Sequence, residues 1–407
     1  ENYRLVMQAD PEDTQVRQKL YQVMSWSQGS LPVAIESTEQ LVREAPYDPD
    51  LRAALGTLYR FSGKQGQAIL NYEEALALDP TNETALNGLI ETRRQLRPQI
   101  NTGIRGIQDE YTDFTLFNFY ARPRLFSGNG RWTVLPIYNY YTFDQDELLV
   151  QARLDPSDPY APRIHAHEGG LGAHYEFNER LVGEAAGSVV QYSEDVGTGA
   201  KALAKLGYWM RPSVYGAVGY RHQDIVYEVN TMESLLNDRI ESDDLLLEAA
   251  VHCWSRHPDS SWNRVHLTGN AMMGEFSDDN SRFRGRARLL YDLQRNPKIA
   301  VGPAINHNSF SEVRPQYYSP SSYTEYGGVL VSEGPIFPKL SYTMEGGVFY
   351  VDQSSDFVYS VQGGLTYNFT DNFHLGAFAG YATTSTSIPD KEEYATTNYT
   401  VDLWYRF

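Results

Sequence analysis

Along residues 399–407 (YTVDLWYRF) apolar and polar side chains alternate without a break. Tyr399, Val401, Leu403, Tyr405 and Phe407 share one side; Thr400, Asp402, Trp404 and Arg406 share the other. Successive strand side chains point to opposite faces, so this reads as a strand with one apolar face. The same period of two runs back to about Thr102 and predicts sixteen strands. They fall near 102–110, 113–125, 131–143, 163–177, 180–193, 199–211, 213–227, 242–256, 262–276, 282–294, 298–310, 323–333, 339–351, 356–369, 372–384 and 394–407. No segment downstream covers the apolar face of the last strand. Hydrocarbon does so in a barrel closed on itself, and the predicted fold class is a 16-stranded antiparallel transmembrane β-barrel over residues 101–407.

The connections support this. Short ones (SGNG at 127–130, NE at 178–179, Pro212, NP at 296–297, TD at 370–371) recur on one side, with PDSS at 258–261. Long ones at 144–162, 228–241 and 311–322 fall on the other. Short turns at one end and long loops at the opposite end are the pattern of an outer-membrane barrel. An even strand number then puts both ends of the barrel segment on the short-turn, periplasmic side.

Residues 1–100 have a different period, close to 3.6. Leu55, Gly56, Tyr59, Ala68, Tyr72, Ala75 and Pro80 stand at the offsets of one 34-residue tetratricopeptide repeat over 49–82. Small residues at 56, 68 and 75 allow two helices to approach, and Tyr59 and Tyr72 fill the gaps beside them. Pro46 and Ala34 precede Pro80 and Ala68 by 34 residues, which predicts a degenerate repeat upstream; 83–97 predicts a further helix. The chain opens at Glu1 already in helical texture, so these helices are expected to be the C-terminal end of a longer solenoid. The solenoid reads either as a spacer or as a docking surface for periplasmic partners.

Composition refines the picture. The 30 Tyr and 17 Phe suit strand ends at a lipid–water boundary. No run of 18 apolar residues exists, which removes transmembrane helices but not membrane strands. Cys253 is the single cysteine, so no internal disulfide is possible. The net charge of −18 argues against a nucleic-acid partner. Much of it sits in 144–162 and 228–244, predicted outer loops that would give a negative rim favouring neutral or cationic polymers.

In a sixteen-strand barrel the inward residues carry the function. Arg282, Arg284, Arg286 and Arg288 alternate with Phe283, Gly285, Ala287 and Leu289, a column that only an aqueous lumen tolerates. Glu168, Glu184, Glu248, Glu345, Asp292 and Asp402 are predicted inward as well, with Trp209, Trp254 and Trp404 as platforms for sugar rings or as filling. The charges either brace the wall as salt bridges or touch a passing polymer. The Gly–Gly pairs at 169–170, 327–328, 346–347 and 363–364 are expected to give curvature or close approach of a ligand.

His165 and His167 lack a third ligand of matching parity, and no metal is expected. His222, Asp224, Ser309, Ser311 and Glu312 lie near strand ends with nothing in the sequence to unite them. There is no phosphate-binding glycine loop and no nucleophile motif, so neither enzymatic activity nor a cofactor is expected.

Helical repeats followed by a sixteen-strand barrel resemble the exopolysaccharide exporters of Gram-negative outer membranes. These are the group of the cellulose synthase outer-membrane subunit, the poly-N-acetylglucosamine porin and the Pel porin. The resemblance implies export of a nascent polysaccharide through the outer membrane, with periplasmic scaffold or polysaccharide-modifying proteins held by the repeats. A passive diffusion porin, a structural barrel and a soluble all-β domain are the alternatives.

Overall fold

The computed structural model describes residues 31–110, 113–145, 163–193, 196–236, 239–253, 261–314, 317–385 and 393–407. Four helices come first: α1 (Leu31–Glu44), α2 (Pro49–Phe61), α3 (Gln65–Leu78) and α4 (Glu83–Gln95). Asp48 caps α2 by accepting from the backbone N–H groups of Asp50 and Leu51, and Asn82 caps α4 through Ala85. These caps stand 34 residues apart, and Leu51 and Leu55 recur as buried Ala85 and Leu89 at the same interval. At the centre lies Tyr72, fully buried. Its ring is clasped by two glycines: a Cβ on Gly56 would sit 2.8 Å from Tyr72 Cδ1, and one on Gly88 2.3 Å from Cζ. The Tyr72 hydroxyl donates to Thr57 Oγ1 at 3.0 Å.

The strands are β1 (Gln99–Asp109), β2 (Phe114–Phe126), β3 (Trp132–Gln145), β4 (Ile164–Glu176), β5 (Leu181–Tyr192), β6 (Thr198–Arg211), β7 (Val214–Asp224) and β8 (Glu241–His252). They continue as β9 (Val265–Phe276), β10 (Ser281–Arg295), β11 (Lys298–Phe310), β12 (Tyr323–Phe337), β13 (Leu340–Val351), β14 (Phe357–Thr370), β15 (Phe373–Ser385) and β16 (Glu393–Arg406). Each pairs antiparallel with its neighbours, and β1 pairs with β16 to close the ring. Closure leaves no sheet edge and, among the described residues, no second sheet packed on the first.

Prolines leave their mark on the ladder. Between Ala121↔Tyr138 and Leu125↔Val134 the β2–β3 pairing lapses, where Pro123 and Pro136 supply no N–H. The β12 strand runs four residues past its expected end at 333, through Gly334 and Pro335. Proline is tolerated there because the register shifts at that point, between Pro335 and Phe337.

The outer face is apolar and exposed. Leu245, Leu247, Val361 and Leu365 stand outward, as do Tyr405 and Phe407 beside the helices. Polar contacts converge inside, as in a water-filled barrel.

The helices sit on the short-turn end. Lys64 Nζ donates to the Glu179 carbonyl at 2.7 Å, and Ser213 Oγ to Glu36 Oε2 at 3.1 Å. Arg94 meets Asp371 at 3.9 Å. At the β2–β3 turn Gly130 (φ +68°) lies so close to α3 that a Cβ would stand 3.0 Å from Gly66 N. The Glu176 carboxylate, at the end of β4, rests against Gly66 from the other side. Helices and barrel therefore share a packed junction, into which Phe126 also fits.

Candidate functional site: the barrel lumen

The lumen takes its shape from the β7–β8 connection, residues 225–240. Sequence reading runs β7 on to 227 and makes 228–241 an outer loop. In the structure β7 stops at Asp224, and two short helices, α5 (Val226–Val229) and α6 (Glu233–Leu236), turn into the barrel. Val226, Met232 and Leu235 bury themselves against the inward Phe114, Phe143, Ile164, Val190 and Tyr192. Ile225 and Val229 pack with Phe276, Phe310 and Tyr317. Asn230, in the left-handed conformation at φ 49°, makes the turn between the two helices and donates to Asp109 at 3.2 Å. Met232 N donates to Gln145 Oε1 at 2.8 Å. The connection thus crosses from β7 to β1 and β3, filling one side of the bore at the long-loop end. Part of the acidity of 228–244 is correspondingly not a rim property: Glu233 and Asp244 are fully buried and Glu228 faces arginines, while Asp243 stays exposed. Residues 146–162, the other acidic stretch, lie outside the described residues.

Arg282, Arg284, Arg286 and Arg288 share the inner face of β10. Arg282 is buried between Glu228 (3.6 Å) and Asp244 (3.5 Å). Arg284 reaches Glu228 at 2.8 Å and is half-exposed. Arg288 pairs with Glu345 at 3.1 Å and donates to Thr268 at 3.1 Å. Three of the four brace the wall and the inner connection. Arg286 faces open space.

The remaining expected residues fall in several places. Glu168 is a buried node that accepts from Tyr141 and Ser188 at 2.6 Å and from Asn139 at 3.0 Å, and pairs with Lys201 at 3.0 Å. Glu248 and Glu184 flank Lys205 at 3.3 and 3.9 Å. Asp292 is buried against His266 at 2.6 Å. Asp402 stands between Gly103 on β1 and Gly376 on β15. Trp209 packs on Tyr215, with Lys64 Nζ 4.1 Å above its ring, so the helices engage it. Trp404 lies against His374 and under Arg406. Trp254 lies outside the described residues. Sequence reading passes over Glu228, Asp244, Lys201 and Lys205 as partners. The spacing of Ile225, Val226, Val229, Met232 and Leu235, apolar with a helical period, is the signal that the connection seeks a core.

Against the inner faces of strands β9–β16 a cavity of about 570 Å³ remains open. Arg286, Arg288, Asn270, Glu325, Glu345 and Gln362 line it, and Asn306 donates to Glu325 at 2.7 Å. Inward glycines here take aromatic rings where the sequence reading expects a ligand. A Cβ on Gly364 would come within 2.0 Å of Phe378, and those on Gly327 and Gly347 within 2.6 and 2.5 Å of Phe349. Rings lie flat on the wall and leave the bore wider.

The outward histidines have aromatic partners. His165 stacks on Tyr140, with Nδ1 3.0 Å from the hydroxyl, and His167 lies 3.3 Å from the Tyr138 hydroxyl. His222 contacts Asp243 at 3.0 Å, whereas Asp224 turns to Tyr192 at 2.6 Å, so the two part company. Ser309 meets His307 at 3.2 Å, while Ser311 and Glu312 hold Asn280. Among the described residues no metal-binding cluster forms.

No protein-family description and no curated protein matches the chain. Solved structures do. A bacterial polysaccharide outer membrane secretin superposes with a TM-score of 0.58 at 11% identity, over 77% of this chain and 99% of that one. CdiB from Acinetobacter baumannii (TM-score 0.42, 11% identity, 76% and 60% covered) and the CymD monoaromatic hydrocarbon channel (0.39, 11%, 78% and 90%) are more distant. The fold is that of an outer-membrane β-barrel.

Proposed function

We propose that this protein is an outer-membrane conduit that passes a nascent exopolysaccharide from the periplasm to the cell surface. The helices act in the periplasm as a platform for scaffold or polysaccharide-modifying proteins. The observation that carries this reading is the junction itself. Lys64, Glu36 and Gly66 fasten the helices to the turns of a barrel whose open cavity is lined by amides, paired charges and flat rings. Many weak polar contacts, none tight enough to retain a chain, suit conduction of a polymer. The polysaccharide secretin that shares the barrel supports the same direction. A passive porin has no need of a platform at its inner mouth, and here the inner connection fills part of the bore.

Deleting the gene in its host and measuring secreted and periplasmic polysaccharide tests the proposal. Polymer held in the periplasm and missing from the surface is the expected outcome. Unchanged secretion together with slower uptake of small solutes would establish the porin instead.

A further inference from the structure

Most inward cations have a carboxylate partner. Lys201, Lys205, Arg221, Arg282, Arg284, Arg288 and Lys298 each lie within 4 Å of one. Arg105 on β1 and Arg122 and Arg124 on β2 differ: all three are exposed, and none forms an ion pair with a described residue. Register puts them on the inner face, because Gln99 faces Arg124, Asn101 faces Arg122 and Arg105 faces Asn118. On the other side of β1, Arg406 faces Gln99 and Trp404 faces Asn101. Arg406 Nε is buried without a hydrogen-bond partner.

The patch begins at the helix end of the barrel and climbs six residues of β1, roughly 20 Å at about 3.3 Å per residue. A single carboxylate, Asp402, stands within it, and Glu91 and Asp371 approach Arg406 at its lower edge. Arg122 lies 4.9 Å over the Tyr120 ring and Arg406 4.9 Å over Trp404, so guanidinium forks and aromatic faces alternate. Arg forks match carboxylates in pairs of hydrogen bonds, and flat rings accept the apolar face of a sugar. The open cavity reaches Asn398, two residues along the inner face of β16 from Thr400, the partner of Arg105.

We infer that the inner face of β16, β1 and β2 is a subsite for carboxylate-bearing sugar units, so that the exported polymer is acidic. This rests on the conduit reading and reverses the preference for neutral or cationic polymers drawn from the acidic loops. The loop acids Glu228, Glu233 and Asp244 are engaged inside the barrel, whereas the arginines remain available to a chain entering from the helix end.

Binding of three defined hexasaccharides to the purified full chain in detergent micelles tests this, by isothermal titration at low and high salt. The probes are a galacturonate hexamer, a neutral glucose hexamer and a cationic glucosamine hexamer. The galacturonate hexamer is expected to bind preferentially, and more weakly at high salt. An R105Q/R122Q/R124Q chain is expected to weaken it by roughly tenfold or more, as loss of charge-assisted hydrogen bonds implies. Arg286→Gln, on the opposite wall, serves as the comparison and is expected to change it less. Heat-modifiable migration in gels confirms that each barrel is folded. Tighter binding of the glucosamine or glucose hexamer overturns the acidic-polymer inference and leaves export standing. Failure of all three to bind overturns it too, with export then judged by the secretion assay alone. Equal binding by the triple variant and the parent removes these arginines from the subsite.

Discussion

Glu228 meets Arg284 at 2.8 Å inside the barrel, and the same carboxylate reaches Arg221 at 2.8 Å and Arg282 at 3.6 Å. One acid on an inward-folded connection therefore balances three guanidinium groups from β7 and β10. Breaking a buried pair by removing one partner typically costs about 3–5 kcal/mol, because the remaining charge is left uncompensated. Glu228→Gln is therefore expected to loosen the 225–240 connection without dissolving the barrel. In planar bilayers its single-channel conductance should rise several-fold over the parent. Indistinguishable conductance would mean that the apolar contacts of Val226 and Met232 alone hold the connection in place.

Gly88 and Tyr72 define the tolerance of the helical core. A methyl at 88 would fall 2.3 Å from Tyr72 Cζ, and the ring has Gly56 at its back. Overpacking of this kind costs about 1–3 kcal/mol. Gly88→Ala is expected to lower the melting temperature of the helical circular-dichroism signal, and Tyr72→Leu in the same chain is expected to recover part of the loss. A Gly88→Ala chain that melts at or above the parent would show that helix propensity, which favours alanine, outweighs the crowding at residue 88.

The strands were legible because hydrocarbon demands one apolar face on every one of them, so the period of two survives along Leu245–Val251 and Phe357–Phe369 without help from distant residues. The repeat offsets at Leu55, Gly56 and Tyr72 were legible for a similar reason, since two helices pack on local spacing. Residues 225–240 were not. Their inward turn depends on Asp109, Gln145 and Arg284, up to about 120 positions away in sequence. Acidic residues at 228 and 244 looked like a solvated loop because their partners are on other strands. Three inward glycines misled in the same way: Gly364 makes room for Phe378 on the next strand, and Gly327 and Gly347 both make room for Phe349.

Acid–base behaviour of the helices is set by Glu39. Burial raises its carboxyl above the ordinary glutamate range, and this outweighs the opposing effects of the Tyr59 hydroxyl, which donates to it at 2.8 Å, and of Arg180, Arg43 and Lys64. The folded state thus holds the proton to higher pH than the unfolded chain. Its contribution to stability is complete below the unfolded value and fades as pH rises through the folded one. Glu39→Gln keeps an acceptor for Tyr59 and removes the titration. Melts taken upward from about pH 4, near the unfolded value, should show the parent losing helical stability relative to the variant. Parallel curves across that range would place the ionised carboxylate in water.

Lys64 makes three contacts at the junction, two of them with the barrel. Its ammonium donates to the Glu179 carbonyl, lies 4.1 Å over Trp209 and 5.9 Å over Tyr59. A cation over an aromatic face contributes about 0.5–2 kcal/mol, more as it is desolvated, and the hydrogen bond to the carbonyl adds to this. Lys64→Met keeps the aliphatic stem against the rings and removes only the charge and its donors. Amide exchange at Gln65–Gln67, at the start of α3, is then expected to quicken by about tenfold, the equivalent of roughly 1.4 kcal/mol. Exchange in β13, across the ring, should stay as it was. Lys64→Arg should restore much of the protection, since a guanidinium also stacks on Trp209. Equal protection in Lys64→Met would assign the junction to the close packing of Gly66, Gly130 and Phe126, and leave the cation a bystander.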